Sequence, residues 1–225
     1  MDKTQLKRHD LVYVSPEGKD KIWQSVATTF CDEAKILVQN LLQGPFDVPG
    51  FVRRSDEDTE TIPIGFVPHQ RIKGNRVRIA AFTSLEDIVM VMSPYDVMQR
   101  KAFAIESGTE CIRVLKELYE LAESFDLQVG VLGSAALELA TGLPYTDEGS
   151  DIDLLIKPAP YEKLQDFYRM AKENFTGINM DFELDLPNGY GVKLVEVFTT
   201  TKTVLGKGLK DVNLLYRKDI MKYLV

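Results

Sequence analysis

The chain is organised around two stretches, Gly130-Val131-Leu132-Gly133-Ser134 and Ser150-Asp151-Ile152-Asp153-Leu154-Leu155-Ile156. In the first stretch, a Gly-Ser turn follows a short apolar run and precedes a helix-forming segment. In the second, two carboxylates two residues apart open another apolar run. Residues i and i+2 of a strand point to the same face, so Asp151 and Asp153 are predicted to aim at one spot. We therefore expect a strand, a turn and a helix beside a strand that carries paired acids.

Paired carboxylates and a glycine turn before a helix suit phosphate chemistry when they occur together. Two like charges this close repel each other unless a cation lies between them, and hard oxygen ligands suit Mg²⁺. Glycine lets the backbone approach a phosphate, and a helix N-terminus offers free N–H groups, to which Ser134 adds a hydroxyl. The spacing predicts a metal-dependent phosphoryl or nucleotidyl transfer site.

A third carboxylate is expected on a later strand. The segment from Met180 to Leu186 alternates strictly between apolar and acidic residues, which places Asp181, Glu183 and Asp185 on one face. We choose Asp181 because it is the first of the run, and Glu183 and Asp185 stay open as alternatives. Two cations held by three carboxylates would orient a triphosphate and stabilise a leaving pyrophosphate.

Composition narrows the class of protein. The chain has 225 residues, of which 44% are hydrophobic, and its net charge is -7, so binding nucleic acid through a generally basic surface is not expected. The two cysteines, Cys31 and Cys111, lie far apart, and neither has a neighbouring Cys or His that would predict zinc. The amino terminus lacks the apolar core of a signal peptide, and no apolar run approaches the ~20 residues that span a bilayer. We expect a soluble, cytoplasmic protein.

The amino-terminal part reads as a mixture of strands and helix. The predicted elements are a strand over 8–14, a helix over 20–42, and strands over 52–54 and 62–67, with an acidic, solvated link over 55–61. The segment 71–78 carries four basic residues, with Arg76 and Arg78 on one side of a predicted strand. It is either a solvated hairpin face or a patch for phosphate or an acidic partner, which Arg53 and Arg54 could join.

The carboxy-terminal part has clearer elements, and we place the domain boundary between residues 83 and 108. A helix is expected to begin after Ser84, which is a candidate N-cap, and Pro94 interrupts it. The elements predicted beyond that point are helices over 94–105, 109–124 and 135–141, a helix after Pro160, strands over 127–132, 151–157, 180–186 and 192–197, and a tail made of a loop and a short helix.

The motifs resemble a known family. A Gly-Ser turn followed by Asp-x-Asp is similar to the signature of the nucleotidyltransferase superfamily, and Ala140-Thr141-Gly142-Leu143-Pro144-Tyr145 resembles one branch of it. That branch is the malonate decarboxylase holo-acyl-carrier-protein synthases, or phosphoribosyl-dephospho-CoA transferases. The segments His9 to Val12, Arg53-Arg54 and Ile62 to Gly65 match the branch in the same order along the chain. Nothing is carried over for residues 83–110 or for the tail after Val197.

The resemblance implies a reaction and roles for particular residues. The donor would be triphosphoribosyl-dephospho-CoA, and a serine of the acyl-carrier subunit of malonate decarboxylase would attack its α-phosphate, releasing pyrophosphate. By position in the motif, Asp151 and Asp153 would hold Mg²⁺, with Asp181 as the third ligand, and Gly133 and Ser134 would contact the triphosphate. Arg53 and Arg54 are counted as candidate substrate-binding residues.

These observations lead to one interpretation and two alternatives. We expect an α/β (α+β) protein with an amino-terminal substrate- or carrier-binding domain over 1–95 and a nucleotidyltransferase-like domain over 96–225, in which helices flank a mixed sheet. The cleft between the domains is the expected site. The alternatives are a nucleotidyltransferase acting on a small molecule or another protein, and a non-catalytic nucleotide-binding module. The oligomeric state, the number of metals and the surface that binds the carrier stay open.

Overall fold

A computed structural model describes residues 6–54, 60–101 and 108–225, with the side chains of residues 100 and 101 left aside. The pattern of contacts divides the chain into two compact units. The first comprises Met1–Ser93 together with Leu143–Tyr145, and the second comprises Pro94–Gly142 and Thr146–Val225. Most of the acidic link over 55–61 and the end of the helix predicted over 94–105 lie outside the described residues.

The first unit contains an antiparallel sheet and two helices. Its elements are β1 (Leu11–Val14), α1 (Pro16–Val26), α2 (Asp32–Gln43), β2 (Gly50–Val52), β3 (Ile62–Phe66), β4 (Arg71–Ile72), β5 (Asn75–Arg76), β6 (Ile79–Thr83) and β7 (Ile88–Met92). Five strands pair in the order β6-β3-β2-β1-β7, and every neighbouring pair is antiparallel. The short strands β4 and β5 form a separate hairpin, so the predicted mixture of strands and helix in this part is confirmed.

Two predictions for this unit were wrong in detail. The single helix expected over 20–42 is two helices, because a 3-10 turn at Ala27–Thr29 and an extended Phe30 interrupt it. The interrupting residues include two threonines and a phenylalanine, which favour helix only weakly. The helix expected after Ser84 is a single 3-10 turn, Leu85–Asp87, followed by β7. Apolar residues at 88–92 pair with β1, and this long-range pairing outweighs the local capping signal.

The second unit contains a six-stranded mixed sheet flanked by helices, as predicted. Its elements are α3 (Pro94–Lys101), α4 (Glu110–Ser124), β8 (Val129–Val131), α5 (Gly133–Thr141), β9 (Ile152–Ile156), α6 (Tyr161–Asn174), β10 (Met180–Asp185), β11 (Gly191–Lys193), α7 (Leu194–Val197), β12 (Thr203–Lys207), β13 (Val212–Tyr216) and α8 (Arg217–Ile220). The strand order is β13-β12-β11-β10-β9-β8. The β9–β10 pair is parallel, and the other pairs are antiparallel.

The two faces of this sheet differ in their covering. On one face, Phe182 of β10 packs against Phe167 and Tyr168 of α6, with ring centroids 5.6 and 5.8 Å apart. The acidic residues of β10 alternate with buried apolar ones and point to the other face. We call that second face the carboxylate face. On its β8 side it is approached by α3, since a Cβ atom on Gly130 would lie 2.8 Å from Pro94.

The tail differs most from the prediction. The strand expected over 192–197 ends at Lys193, and residues 194–197 form the short helix α7. The loop expected after it contains the β12–β13 hairpin, closed by a hydrogen bond from Gly208 N to Asp211 O of 2.8 Å. A short helix, α8, then follows as predicted. Adjacent apolar residues, Val204 with Leu205 and Leu214 with Leu215, obscure the strand alternation in the sequence.

In the described parts of the chain, none of the helices combines the length and the apolar character that crossing a bilayer requires.

Candidate active site

The candidate site is built around two carboxylates on neighbouring strands. Asp153 of β9 and Asp181 of β10 are direct partners in the parallel register, so their side chains emerge side by side on the carboxylate face. Asp151 stands just before β9 and is exposed. Strand pairing therefore brings together two acids that are distant in the sequence, and the third acid, Asp151, immediately precedes β9.

Gly133 brings the start of α5 against Asp153. A Cβ atom at this position would lie 2.7 Å from the Asp153 Oδ2 atom, and Gly133 adopts a φ of 65°. The preceding residue, Leu132, donates its backbone N–H to the Asp153 carbonyl oxygen at 2.9 Å. Glycine is required here both for its backbone conformation and for the close approach of a carboxylate.

The first turn of α5 presents backbone donors next to these acids. The N-cap residue is Leu132, whose side chain has no polar atom with which to cap the helix. The N–H groups of Gly133, Ser134 and Ala135 are the first three of the helix and have no partner within it. Such a terminus favours anions, so it suits a phosphate group that approaches the carboxylates with a cation.

The acidic side chains of the cluster carry more negative charge than the neighbouring lysine neutralises. Burial, and then the charges of Asp181 and Asp151, raise the pKa of Asp153 above its usual value, while Lys193 lowers it. Lys193 of β11 places its Nζ atom 2.9 Å from Asp181 Oδ2, and this contact raises the pKa of the lysine. Lys193 thus supplies part of the charge that a bound cation would supply, and the sequence pattern did not single it out.

A buried glutamate supports the loop that leads to Asp151. Glu138 of α5 accepts hydrogen bonds on Oε2 from the Thr146 backbone N–H at 2.6 Å and from its hydroxyl at 2.7 Å. The Thr146 hydroxyl also lies 2.7 Å from that of Thr109, which caps α4 through the N–H of Ile112. One network therefore joins α4, α5 and the loop. Sequence reasoning missed Glu138, whose only signal was a charge within an otherwise apolar helix.

The pKa of Cys111 is affected by burial and by the acids around it. Burial and the neighbouring charges, of which Glu138 and Asp153 are the largest, raise the pKa of its thiol to about 12. Its Sγ atom donates to the Asp151 carbonyl oxygen at 3.7 Å. Cys111 is therefore a buried packing residue beneath the site, held in its thiol form.

The three acids of β10 have different surroundings. Asp185 accepts hydrogen bonds from Lys157 and from the Tyr95 hydroxyl, the latter at 3.0 Å. Glu183 pairs in register with Leu155 and Lys193. Asp181 is the one that lies opposite Asp153. Of the alternatives left open by the sequence, Asp181 has the position best suited to a shared cation.

The residues fit magnesium by their chemistry. In the described ranges, no three or more His, Cys, Asp or Glu side chains converge closely enough to hold a metal ion as they stand. Asp151, Asp153 and Asp181 nevertheless offer the hard oxygens that Mg²⁺ prefers, and Mg²⁺ commonly completes its shell with water and substrate phosphates. Burial raises the pKa of Asp153 most, and repulsion from Asp181 and Asp151, which a cation would relieve, raises it further.

The arginines predicted to bind substrate belong to the first unit, whereas the carboxylates belong to the second. Arg53 follows β2, its backbone N–H donates to Pro63 O at 2.9 Å, and its side chain lies over Gly65. Arg54 is exposed. In the basic segment 71–78, Arg76 donates through Nη2 to the Tyr145 carbonyl oxygen at 2.6 Å, while Arg78 is exposed.

Comparison with known proteins gives consistent matches. The profile described as phosphoribosyl-dephospho-CoA transferase MdcG N-terminal domain matches residues 7–94, and the corresponding C-terminal domain profile matches residues 97–218. A phosphoribosyl-dephospho-CoA transferase of Bradyrhizobium diazoefficiens is 26% identical over 95% of this chain and 92% of its own length. One from Pseudomonas aeruginosa is 29% identical over 71% of this chain and 74% of its own. One from Pseudomonas syringae is 27% identical, and the chain spans only 65% of its length. No solved structure matches the chain significantly.

Proposed function

Since the chain belongs to the phosphoribosyl-dephospho-CoA transferase family, a family of transferases, we propose that it modifies the acyl-carrier subunit of malonate decarboxylase. The donor would be triphosphoribosyl-dephospho-CoA. The relatives named for this activity support the transferred group, and the motif resemblance supports the donor and the acceptor.

The proposed chemistry is a single displacement at phosphorus. The oxygen of an acceptor serine attacks the α-phosphorus of the donor, and the bond from that phosphorus to the bridging oxygen of the β-phosphate breaks. Pyrophosphate leaves, the proton of the serine hydroxyl is released to water, and a phosphodiester joins the prosthetic group to the serine. Positioning and charge stabilisation supply most of the catalysis in such reactions.

The residues of the cluster would divide this work. Asp151, Asp153 and Asp181 would hold Mg²⁺, which when bound supplies positive charge against the phosphate oxygens. The backbone N–H groups at the start of α5, with the Ser134 hydroxyl, would bind the triphosphate. Lys193 would pair with Asp181 in the absence of the cation and would compete with the cation for that carboxylate.

One observation carries the proposal. Gly133 lies so close to Asp153 that any side chain at residue 133 would collide with the carboxylate, while Asp153 itself is paired in register with Asp181. The Gly-Ser turn and the two acids therefore share one location, and this proximity supports a cation-assisted transfer from a triphosphate.

The test is the intact mass of the purified acyl-carrier subunit after incubation with the protein, Mg²⁺ and triphosphoribosyl-dephospho-CoA. We expect a mass gain equal to the donor minus pyrophosphate with the wild type, and none with Asp151→Asn or Asp153→Asn. Asp166→Asn, which changes an exposed acid of α6, is the matched control and should retain the mass gain. If the wild type adds no mass to the carrier but releases pyrophosphate from ATP in the presence of a small acceptor, the protein is a nucleotidyltransferase of another class.

A further inference from the structure

The β12–β13 hairpin exposes a row of apolar side chains to solvent. Directly paired residues of antiparallel strands share a face, and the register pairs Leu205 with Leu214, Lys207 with Val212 and Thr203 with Tyr216. The exposed apolar residues of this face are Leu205 (41%), Val212 (39%), Leu214 (69%) and Tyr216 (60%). We call them the apolar strip. The other face of the hairpin packs inward through Val204.

The apolar strip lies on the same face of the sheet as the carboxylates. Glu183 pairs with Lys193, and the β11–β12 register, continued by one residue, places Leu205 beside Lys193. Leu205 in turn pairs with Leu214. Because neighbouring strands are spaced by about 4.8 Å, Leu214 lies roughly 10 Å across the sheet from Lys193, the residue that contacts Asp181. The strip therefore leads from the candidate site to the edge of the sheet.

The segment that contains the strip carries a charge opposite to that of the chain, although Glu196 also lies beside the strip, where its Oε2 atom accepts a hydrogen bond from Leu205 N at 3.4 Å. Residues 201–225 contain six Lys and Arg and two Asp, a formal charge of +4, within a chain of net charge -7. Lys207 shares the face of the strip, Lys218 lies over the Tyr216 ring at 5.5 Å from its centroid, and Lys202 precedes β12. An apolar centre with a basic rim suits an acidic protein surface.

Two other occupants fit these observations less well. Pairing the strip with that of a second copy would bring two basic rims together, and like charges across an interface oppose association. A small ligand prefers a concave site, whereas a strip along a sheet edge offers an open face. A protein partner uses an open apolar face of this kind readily.

We propose that the apolar strip and its basic rim are the docking surface for an acidic acceptor protein, whose serine then reaches the carboxylate face. The inference rests on the proposed function, because that function requires a protein acceptor. Because β13 is three strands from β10 and four from β9, Leu214 lies about 14 Å across the sheet from the strand of Asp181 and about 19 Å from that of Asp153. A loop of the docked acceptor would span this distance to bring its serine to the acids.

The test measures binding and turnover with the apo acyl-carrier subunit as the probe. We expect Leu214→Asp to raise both the dissociation constant and the KM for this protein about tenfold, as loss of a central apolar contact does at interfaces. The KM for triphosphoribosyl-dephospho-CoA should not change. Ile36→Asp, a matched control at a 64% exposed position of α2, should leave all three values unchanged.

A second variant tests the basic rim. Lys202→Glu/Lys218→Glu should weaken binding at least tenfold at low ionic strength, and the loss should shrink as salt is added, because screening removes the attraction from the wild type as well. Lys116→Glu/Lys163→Glu makes the same change of charge on α4 and α6 and should bind like the wild type. Circular dichroism of each variant checks that it is folded.

The outcomes separate the inference from the proposed function. If the wild type modifies the carrier and Leu214→Asp has an unchanged KM for it, the docking surface is wrong and the function stands. If the wild type binds the carrier but adds no mass, while Leu214→Asp does not bind it, the surface stands and the reaction is wrong. Absence of binding by the wild type, or a wild-type dimer that Leu214→Asp dissociates in sedimentation, would overturn the inference.

Discussion

The ammonium group of Lys193 lies 2.9 Å from a carboxylate oxygen of Asp181, on the strand next to it. Through Asp181 the lysine is linked to Asp153, whose pKa it lowers against the stronger effects of burial and neighbouring acids. The site therefore contains a cation of its own, supplied by the chain.

We predict that Lys193→Met binds divalent cations more tightly than the wild type. The substitution removes a positive charge beside the acids and a competitor for Asp181, and one such charge at this distance is worth about 1 kcal/mol or more, or several-fold to tenfold in affinity. Titration with Mn²⁺ followed by electron paramagnetic resonance measures this. Lys222→Met removes an equivalent exposed lysine, which pairs with Asp219, and should have no effect. Weaker binding by Lys193→Met would contradict the assigned role.

Gly133→Ala should be destabilised by about 2–4 kcal/mol. The positive φ costs a non-glycine residue about 1–2 kcal/mol, and the new methyl group would also lie 2.7 Å from Asp153 Oδ2. Gly142→Ala is the matched control, since Gly142 has a φ of 72° but no atom of the described residues lies within 4 Å of the added Cβ atom. It should lose only the conformational part. Urea unfolding of both variants measures the difference, and equal losses would mean that the contact with Asp153 has no energetic weight.

Asp153→Asn should stabilise the metal-free protein at neutral pH. The folded-state pKa of Asp153 is raised by burial and by Asp181 and Asp151, so the carboxyl group favours folding below its unfolded pKa of about 3.9 and loses that contribution as pH rises through the folded pKa. At pH 7 the buried charge is a cost that Asn removes. We expect a gain of about 0.5–2 kcal/mol at pH 7, as is common for single stabilising substitutions, and a smaller gain near pH 4.

Magnesium should make the wild type more stable than Asp153→Asn. A ligand that binds only the folded state raises its stability in proportion to the logarithm of its concentration. We expect the melting temperature of the wild type to rise with millimolar Mg²⁺ and that of Asp153→Asn to stay constant. Scanning calorimetry with and without EDTA measures both. An equal rise in the melting temperatures of the two proteins would mean that Asp153 is not a metal ligand.

Glu138→Gln should lower the free energy of unfolding by about 1–3 kcal/mol. It should also reduce turnover, through the loop that Glu138 supports rather than through contact with substrate. The buried carboxylate accepts two hydrogen bonds from Thr146, and a neutral amide weakens charge-assisted bonds of this kind. A double-mutant cycle with Thr146→Val isolates the interaction, because the valine removes only the hydroxyl. We expect a coupling energy above about 0.5 kcal/mol, and strict additivity would place the two residues in separate networks.

The basic segment 71–78 remains a candidate surface for an acidic partner, and the structure sharpens its test. Arg76 donates to the Tyr145 carbonyl oxygen, so Arg76→Glu should reduce stability, by about 1–2 kcal/mol, in addition to any effect on binding. Exposed Arg78 is the cleaner probe. If the carrier contacts this segment in addition to the β12–β13 hairpin, Arg78→Glu weakens carrier binding in a salt-dependent way without changing the melting temperature. Unchanged carrier binding by this variant would discard the patch and leave the β12–β13 hairpin as the docking surface.

Local signals in the sequence were sufficient for the elements around Gly133 and Asp153. The Gly-Ser turn marks the start of α5, and Gly142 ends it with a φ of 72°. The alternation from Met180 onward predicts β10 and the shared face of its acids, because the side chains of a strand alternate between its two faces. The mixed sheet with flanking helices follows from these elements in order.

The sequence by itself determined which residues are candidates for the chemistry, because residue type and spacing along one element are local properties. Only the tertiary structure decided which of them meet. Asp181 faces Asp153 because β10 pairs with β9 in one register, and Lys193 reaches Asp181 because β11 lies beside β10. The tail became a hairpin with an exposed apolar strip because β12 pairs with both β11 and β13. The register between β9 and β10 depends on matching the buried faces of two segments that α6 separates along the chain, so neither segment alone contains that information.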